Sequence, residues 1–294
     1  MPDRLRQAAL LAALLLAPLV SAQQPMPPAG MAPQAPQGFA LSPAEEAYLD
    51  QVLTAWELES KKIQTFSCGF TRIVYDHVFG PAPDPETGVR IHVREEDGEL
   101  SYQRPDKGRF EITKVRAWDA AQQQHVENAN IIGEKWVCDG EAVYEYATEQ
   151  KQLKVRPIPK EMQGESIVDG PLPFLFGAEA EKLKRRYWLK LDPRAPAGQL
   201  WLVALPKYHQ DAANYSQVEL MLDRQRLLPT AMRVQAPDGS QTVYTFAADK
   251  AEINATMARL WGQLFSAPRT PFGWKRVVEQ AEPEQAANPS AAIR

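Results

Sequence analysis

Hydrophobic and polar positions alternate in short runs along most of the chain, and the alternation predicts an antiparallel sheet. The stretch Lys135–Ile158 is the clearest. Trp136-Val137-Cys138 is an apolar run, Asp139-Gly140 supplies the positive φ of a tight turn, and Ala142–Tyr146 alternates around Glu145. After the polar Thr148-Glu149-Gln150, Leu153 and Val155 alternate with Lys154 and Arg156. Three strands and two turns in this stretch make a meander, whose apolar face must be covered.

The same pattern recurs on both sides. Thr65–Asp76 alternates Phe66, Cys68 and Phe70 with Ser67, Gly69 and Thr71. Val89–Arg94 and Glu99–Arg104 read as a hairpin around Asp97-Gly98, and Arg109–Arg116 as a further strand. Ala117–Asn128 is polar and reads as a surface excursion. Later strands are expected at Leu183–Leu191, Gln199–Leu205, Tyr215–Leu222, Leu228–Val234 and Gln241–Phe246, with turns at 223–227 and Asp238-Gly239.

Two segments have helical spacing instead. Ser42-Pro43-Ala44-Glu45 is a capping box with proline at the first helical position, and Leu49, Val52, Leu53, Trp56 and Ile63 form one stripe, so residues 43–64 are expected as a helix. Lys250–Leu264 repeats the spacing through Ile253, Met257, Leu260 and Trp261, and Pro268–Trp274 is expected to lie back on the sheet. Pro171-Leu172-Pro173-Phe174-Leu175-Phe176-Gly177 predicts a short apolar helix that must cover something.

The ends differ in composition. A charged Met1–Arg6, an apolar run from Ala8 to Val20 and the small residues Ser21-Ala22 predict a secretory signal peptide over residues 1–22, too short to span a bilayer. Residues 23–41 are rich in proline and predict a disordered linker; residues 42–278 form the single domain, and 279–294 a disordered tail. No transmembrane segment is expected after cleavage, and the localisation is periplasmic or secreted.

Charge and chemistry narrow the function. The 294 residues carry a net charge of −4; removing residues 1–22 takes away Arg4, Arg6 and Asp3, a net +1, and leaves −5. A mildly acidic chain without a basic block is a poor nucleic-acid binder, so no nucleic acid is expected as a partner, and it lacks the Lys/Arg cluster that would hold an anionic membrane. Export favours a disulfide between Cys68 and Cys138, both in phase with apolar positions, over two buried free thiols. His77, His92, His125 and His209 are scattered, with no metal-ligand spacing and no hydrolase motif, so neither catalytic residues, metal nor cofactor is expected.

The order of elements and four motifs resemble the LolA-like superfamily of periplasmic lipoprotein carriers. Thr65–Thr71 is similar to the carriers' first strand, and Gln103-Arg104-Pro105-Asp106 with Arg109-Phe110 to their Arg-Pro strand end. Val137–Gly140 with Val143–Tyr146 is similar to their Asp-Gly hairpin, and Pro171–Phe176 to their lid helix. The proline-rich leader, the cysteine pair and Gly273-Trp274-Lys275-Arg276 are more similar to an uncharacterised planctomycete branch. The resemblance implies an α+β fold, a curved antiparallel half-open β-barrel wrapped around helices, and a monomer. It further implies a ligand face of Phe66, Phe70, Trp136, Leu172, Phe174 and Leu175, with Arg104 coupling lid to cargo. The expected ligand is an acyl chain, such as a lipoprotein's, or another hydrophobic molecule, handed to a membrane-associated delivery partner. The competing reading is a protein-interaction or scaffold domain whose core is filled.

Overall fold

The computed structural model describes residues 34–128, 131, 133–160, 163–164, 179–255 and 263–279. The signal peptide, residues 23–33 of the linker, the Pro171–Gly177 segment and the tail from residue 280 lie outside the described residues.

Helix α1 spans Pro43–Lys61 and starts as its sequence dictates. Ser42 Oγ accepts the Glu45 N–H at 3.3 Å and the Glu45 carboxylate accepts the Ser42 N–H at 2.8 Å, which closes the capping box. Leu49, Val52, Leu53 and Trp56 form the buried face, and Ile63, just past the helix end, packs on the same core. Nineteen residues reach about 28 Å. At one end the Tyr48 hydroxyl accepts from Arg224 at 3.0 Å, and at the other the Lys61 carbonyl accepts from Arg104 at 2.9 Å.

The strands are β1 (Thr65–Tyr75), β2 (Arg94–Gln103), β3 (Lys107–Asp119), β4 (Gln124–Glu127), β5 (Lys135–Cys138), β6 (Ala142–Ala147), β7 (Gln152–Pro157), β8 (Tyr187–Leu191), β9 (Gln199–Pro206), β10 (Gln217–Asp223), β11 (Pro229–Gln235), β12 (Gln241–Phe246), β13 (Glu252–Ile253) and β14 (Lys275–Val278). They join in one open sheet of order β14-β7-β6-β5-β3-β2-β1-β12-β11-β10-β9-β8, with β4 added on β3 and β13 on β1. Every pairing is antiparallel except β14 on β7. Two short helices, α2 (Ala180–Arg186) and α3 (His209–Ala212), and a 3-10 turn at Ala248–Lys250 accompany the strands.

Alternation decides which face is buried. Phe66, Cys68 and Phe70 pair with Tyr102, Leu100 and Gly98, and Leu100 pairs in turn with Phe110, so one face of the sheet is apolar from strand to strand. That face, with Leu202, Val218, Leu220, Leu222, Met232 and the α1 stripe, is the main core. The meander behaves differently. Trp136 pairs with Glu145, so Tyr144, Tyr146, Leu153 and Val155 point to the opposite face and form a second small cluster there. The 268–278 segment returns to that outer side: the Trp274 ring meets Tyr146 at 6.1 Å, and the Arg276 guanidinium lies 5.5 Å from the Tyr144 ring centre.

Several expectations need correction. Asp97-Gly98 is not a turn. β2 runs through it, because Gly98 faces the Phe70 ring and a Cβ there would stand 2.5 Å from Phe70 Cζ; the register against β3 slips at this point. The turn between β2 and β3 falls at Arg104–Asp106 instead. The polar 117–128 stretch is the hairpin of β3 and β4, and residues 183–186 belong to α2, not to the following strand. Glu252–Ile253, within the helix expected over Lys250–Leu264, instead pair with β1 as a strand, and residues 256–262 of that expected helix lie outside the described residues. The sheet is not wrapped around several helices: among the described residues one long helix crosses its apolar face. Phe39, inside the expected linker, is buried beneath the Lys190 ammonium, 4.4 Å from the ring centre.

Candidate ligand-binding face

The inner face carries a row of aromatic rings across four strands. Trp136 on β5 stacks on Phe110 on β3 at 5.7 Å and 6° between planes, and Phe110 stacks on Phe70 on β1 at 4.9 Å. Phe70 then meets Tyr244 at 6.0 Å and Phe246 at 6.4 Å on β12. β2 lies between β1 and β3, yet the rings touch because its residue opposite Phe70 is Gly98. Phe66 is buried farther along β1, opposite Tyr102. Stacked rings at these separations add about 0.5–1.5 kcal/mol per pair beyond burial.

A charged cluster closes one end of the row. Arg72 shares the inner face with Phe70, and its Nε donates to Glu96 directly across on β2. Arg72 Nη1 reaches Glu134 at 2.6 Å, Arg94 Nε lies 3.6 Å from Glu96, and the Arg72 guanidinium sits 5.6 Å from the Phe110 ring centre. Glu96 is only 1% exposed, whereas Arg94 and Glu134 reach solvent. Burial pushes the Arg72 pKa down, but Tyr244, Glu134 and Glu96 outweigh it and hold the guanidinium above its ordinary value. Burial also raises the Tyr244 phenol, against Arg72 beside it. The fold has thus placed a neutralised ion pair where the apolar row meets the solvent edge.

The expected site residues divide. Phe66, Phe70 and Trp136 lie on this inner face. Leu172, Phe174 and Leu175 lie outside the described residues. Arg104 stands at the β2–β3 turn, and its described hydrogen bond goes to the Lys61 carbonyl at the end of α1. Phe110, Tyr244 and the Arg72–Glu96 pair were missed. Phe110 belongs to the Arg-Pro strand-end motif, and the phase of β1 puts Arg72 on the Phe70 face; the turn expected at Asp97-Gly98 hides the signal for Glu96.

The disulfide is a correction. Cys68 on β1 and Cys138 on β5 are both free and buried. β2 and β3 lie between their strands, so at about 4.8 Å per strand step the Cα atoms stand roughly 14 Å apart or more, twice what a disulfide spans. Burial pushes the Cys68 thiol up to about 12 and, with smaller contributions from its neighbours, Cys138 to about 11.

Among the described residues no group of three or more His, Cys, Asp or Glu side chains could hold a metal ion. His92 stands 3.8 Å from Glu95, beyond hydrogen-bond reach, at the rim and not within the core. No described helix is long and apolar enough to cross a membrane.

No family model matches the chain, and no curated protein matches it. Solved structures do. Its similar structures include a LolA superfamily protein. That protein, from Nitrosomonas europaea, is 9% identical, with 73% of this chain and 97% of that chain covered and a TM-score of 0.35. An uncharacterized conserved protein from Thermus thermophilus is 13% identical over 78% of this chain and 99% of that one, with a TM-score of 0.42. The Pseudomonas aeruginosa MucA/MucB complex gives 14% identity, 75% and 61% coverage and a TM-score of 0.36.

Proposed function

We propose that the protein is an exported, non-enzymatic binding protein. It holds an acyl chain or another hydrophobic ligand against the inner face of the sheet, with the Pro171–Phe176 segment as cover. One observation carries this reading. The aromatic row Trp136–Phe110–Phe70–Phe246 continues across four strands of an open sheet, and among the described residues one long helix crosses that face. Such a face offers apolar contact along its length and a polar end at Arg72–Glu96 to orient a ligand head. In this reading residues 1–22 are removed on export, residues 42–278 bind, and a membrane-associated partner receives the cargo.

A specific observation favours a second reading. Phe70 and Phe110 are already stacked and buried, as in a filled core, which suits an interaction domain that keeps the fold without a ligand.

Native mass spectrometry of residues 23–294 purified from the native host, followed by extraction of bound lipid, separates the two. Near-stoichiometric acyl material that is lost in Phe174→Glu or Leu175→Glu supports the carrier. A clean apo mass that takes up neither added fatty acid nor lipopeptide removes it and leaves the interaction domain.

A further inference from the structure

The sequence has no run of basic residues, but the fold assembles a basic corner at one edge of the sheet. β14 joins β7 with the Lys275 N–H donating to the Lys151 carbonyl at 2.9 Å, so two exposed lysines stand on adjoining backbones. Just before β14 the chain makes a tight turn. The Trp274 N–H donates to the Pro271 carbonyl at 3.0 Å, and Gly273 takes φ +79°, a value that suits glycine. The turn leaves Phe272 at its tip with 106% relative exposure, so the ring touches nothing. Trp274 faces the other way and fixes the turn on Tyr146. Arg269, Lys275 and Arg276 flank the ring in sequence and are exposed, and among the described residues Lys151, Arg269 and Lys275 enter no ion pair.

We propose that this corner docks on an anionic bilayer surface, with Phe272 entering the headgroup layer and Lys151, Arg269 and Lys275 meeting lipid phosphates. A single exposed ring on a stiff turn, with exposed cations nearby in sequence and on the adjoining backbone, suits that surface. The ring gains apolar burial at the acyl boundary, and the cations gain the negative surface potential. A protein partner fits less well, because a stable interface needs roughly 800 Å² from each side with an apolar centre, and one isolated ring supplies neither. A bilayer needs no matching shape. The overall charge of −4 adds orientation, since the same field repels the rest of the molecule and leaves this corner facing the membrane. The corner lies at the β14 edge, apart from the inner aromatic row, so the inference stands whether or not that row holds a ligand.

The test is cosedimentation of the purified chain with extruded vesicles of phosphatidylcholine alone or mixed with phosphatidylglycerol, at low and high salt. Binding is expected to the anionic vesicles only, and to fall with salt. Phe272→Asp, and separately Lys151→Glu with Lys275→Glu, are each expected to weaken it by roughly tenfold or more. Because the Phe272 ring touches nothing, Phe272→Asp should melt with the parent, which removes misfolding as an explanation. Equal pelleting with neutral vesicles, or no vesicle binding at all, overturns the proposal. So does a pair of variants that bind like the parent.

Discussion

Arg72 and Glu96 show how much one register pair can decide. Both are on the inner face, directly across from each other, and losing either would leave the other with one more exposed partner, Arg94 for Glu96 or Glu134 for Arg72. Arg72→Met should therefore cost up to about 3–5 kcal/mol, because Glu96 stays buried with only the half-exposed Arg94, 3.6 Å away, as counter-ion. Replacing both, Arg72→Met with Glu96→Leu, should recover much of that loss, since apolar groups suit the surroundings. Urea unfolding of the parent, both single variants and the double variant makes the cycle. A double variant that loses the sum of the two singles would show that the pair is not coupled. Neither residue was legible as a pair from sequence. A hairpin around Asp97-Gly98 puts Glu96 in the connection between its strands, and a glycine that admits a ring looks the same in sequence as a glycine that turns a chain.

At the scale of elements, legibility followed local chemistry. α1 and the β5–β7 meander were legible because their determinants are a few residues apart: the Ser42–Glu45 box, and turns whose Gly140 and Lys151 adopt φ +92° and +49°. The β3–β4 hairpin was not, because tertiary contacts hold it. The His125 ring stacks on His92 at 3.8 Å and 11°, Trp118 lies 5.1 Å away, and His125 Nε2 is 2.8 Å from the His92 carbonyl. Glu95, itself paired with Arg116, faces His92, Tyr75 touches its other side, and Arg90 lies over Tyr75. Burial, then the neighbouring His125, holds the His92 pKa below its ordinary value, with Glu95 opposing. The folded state thus prefers the neutral ring. Its contribution is fully present above the unfolded value of about 6.5 and is lost as pH falls from there toward the lower folded value. Hydrogen exchange at Gln124–Glu127 should speed up below about pH 6.5 relative to exchange on β9 and β10. His125→Phe, which keeps a stacked ring but removes the neighbouring imidazole, should reduce the pH dependence. Exchange at β4 that tracks β9 and β10 at every pH would sink the idea.

The order of strands in the whole molecule was beyond the sequence. Alternation tells which residues share a face, and it placed Cys68 and Cys138 correctly in phase with their apolar neighbours; it does not tell how many strands stand between them. That missing quantity is why a disulfide looked reasonable. With β2 and β3 intervening, forming one would require tearing those strands from the middle of the sheet, and burial, which raises the two thiols to about 12 and about 11, keeps both in the unreactive protonated form. The fold therefore predicts a protein whose stability does not depend on redox conditions. The melting temperature should be the same with and without dithiothreitol, and intact mass after oxidative purification should correspond to two free thiols. A thiol reagent should label neither cysteine until denaturant opens the sheet, and then both together, since Cys68 and Cys138 sit in strands of one continuous hydrogen-bonded network. A mass two hydrogens lighter, or a reductant-sensitive melt, would mean that β1 and β5 approach each other in a different strand order, and the aromatic row across β5, β3, β1 and β12 would fall with it.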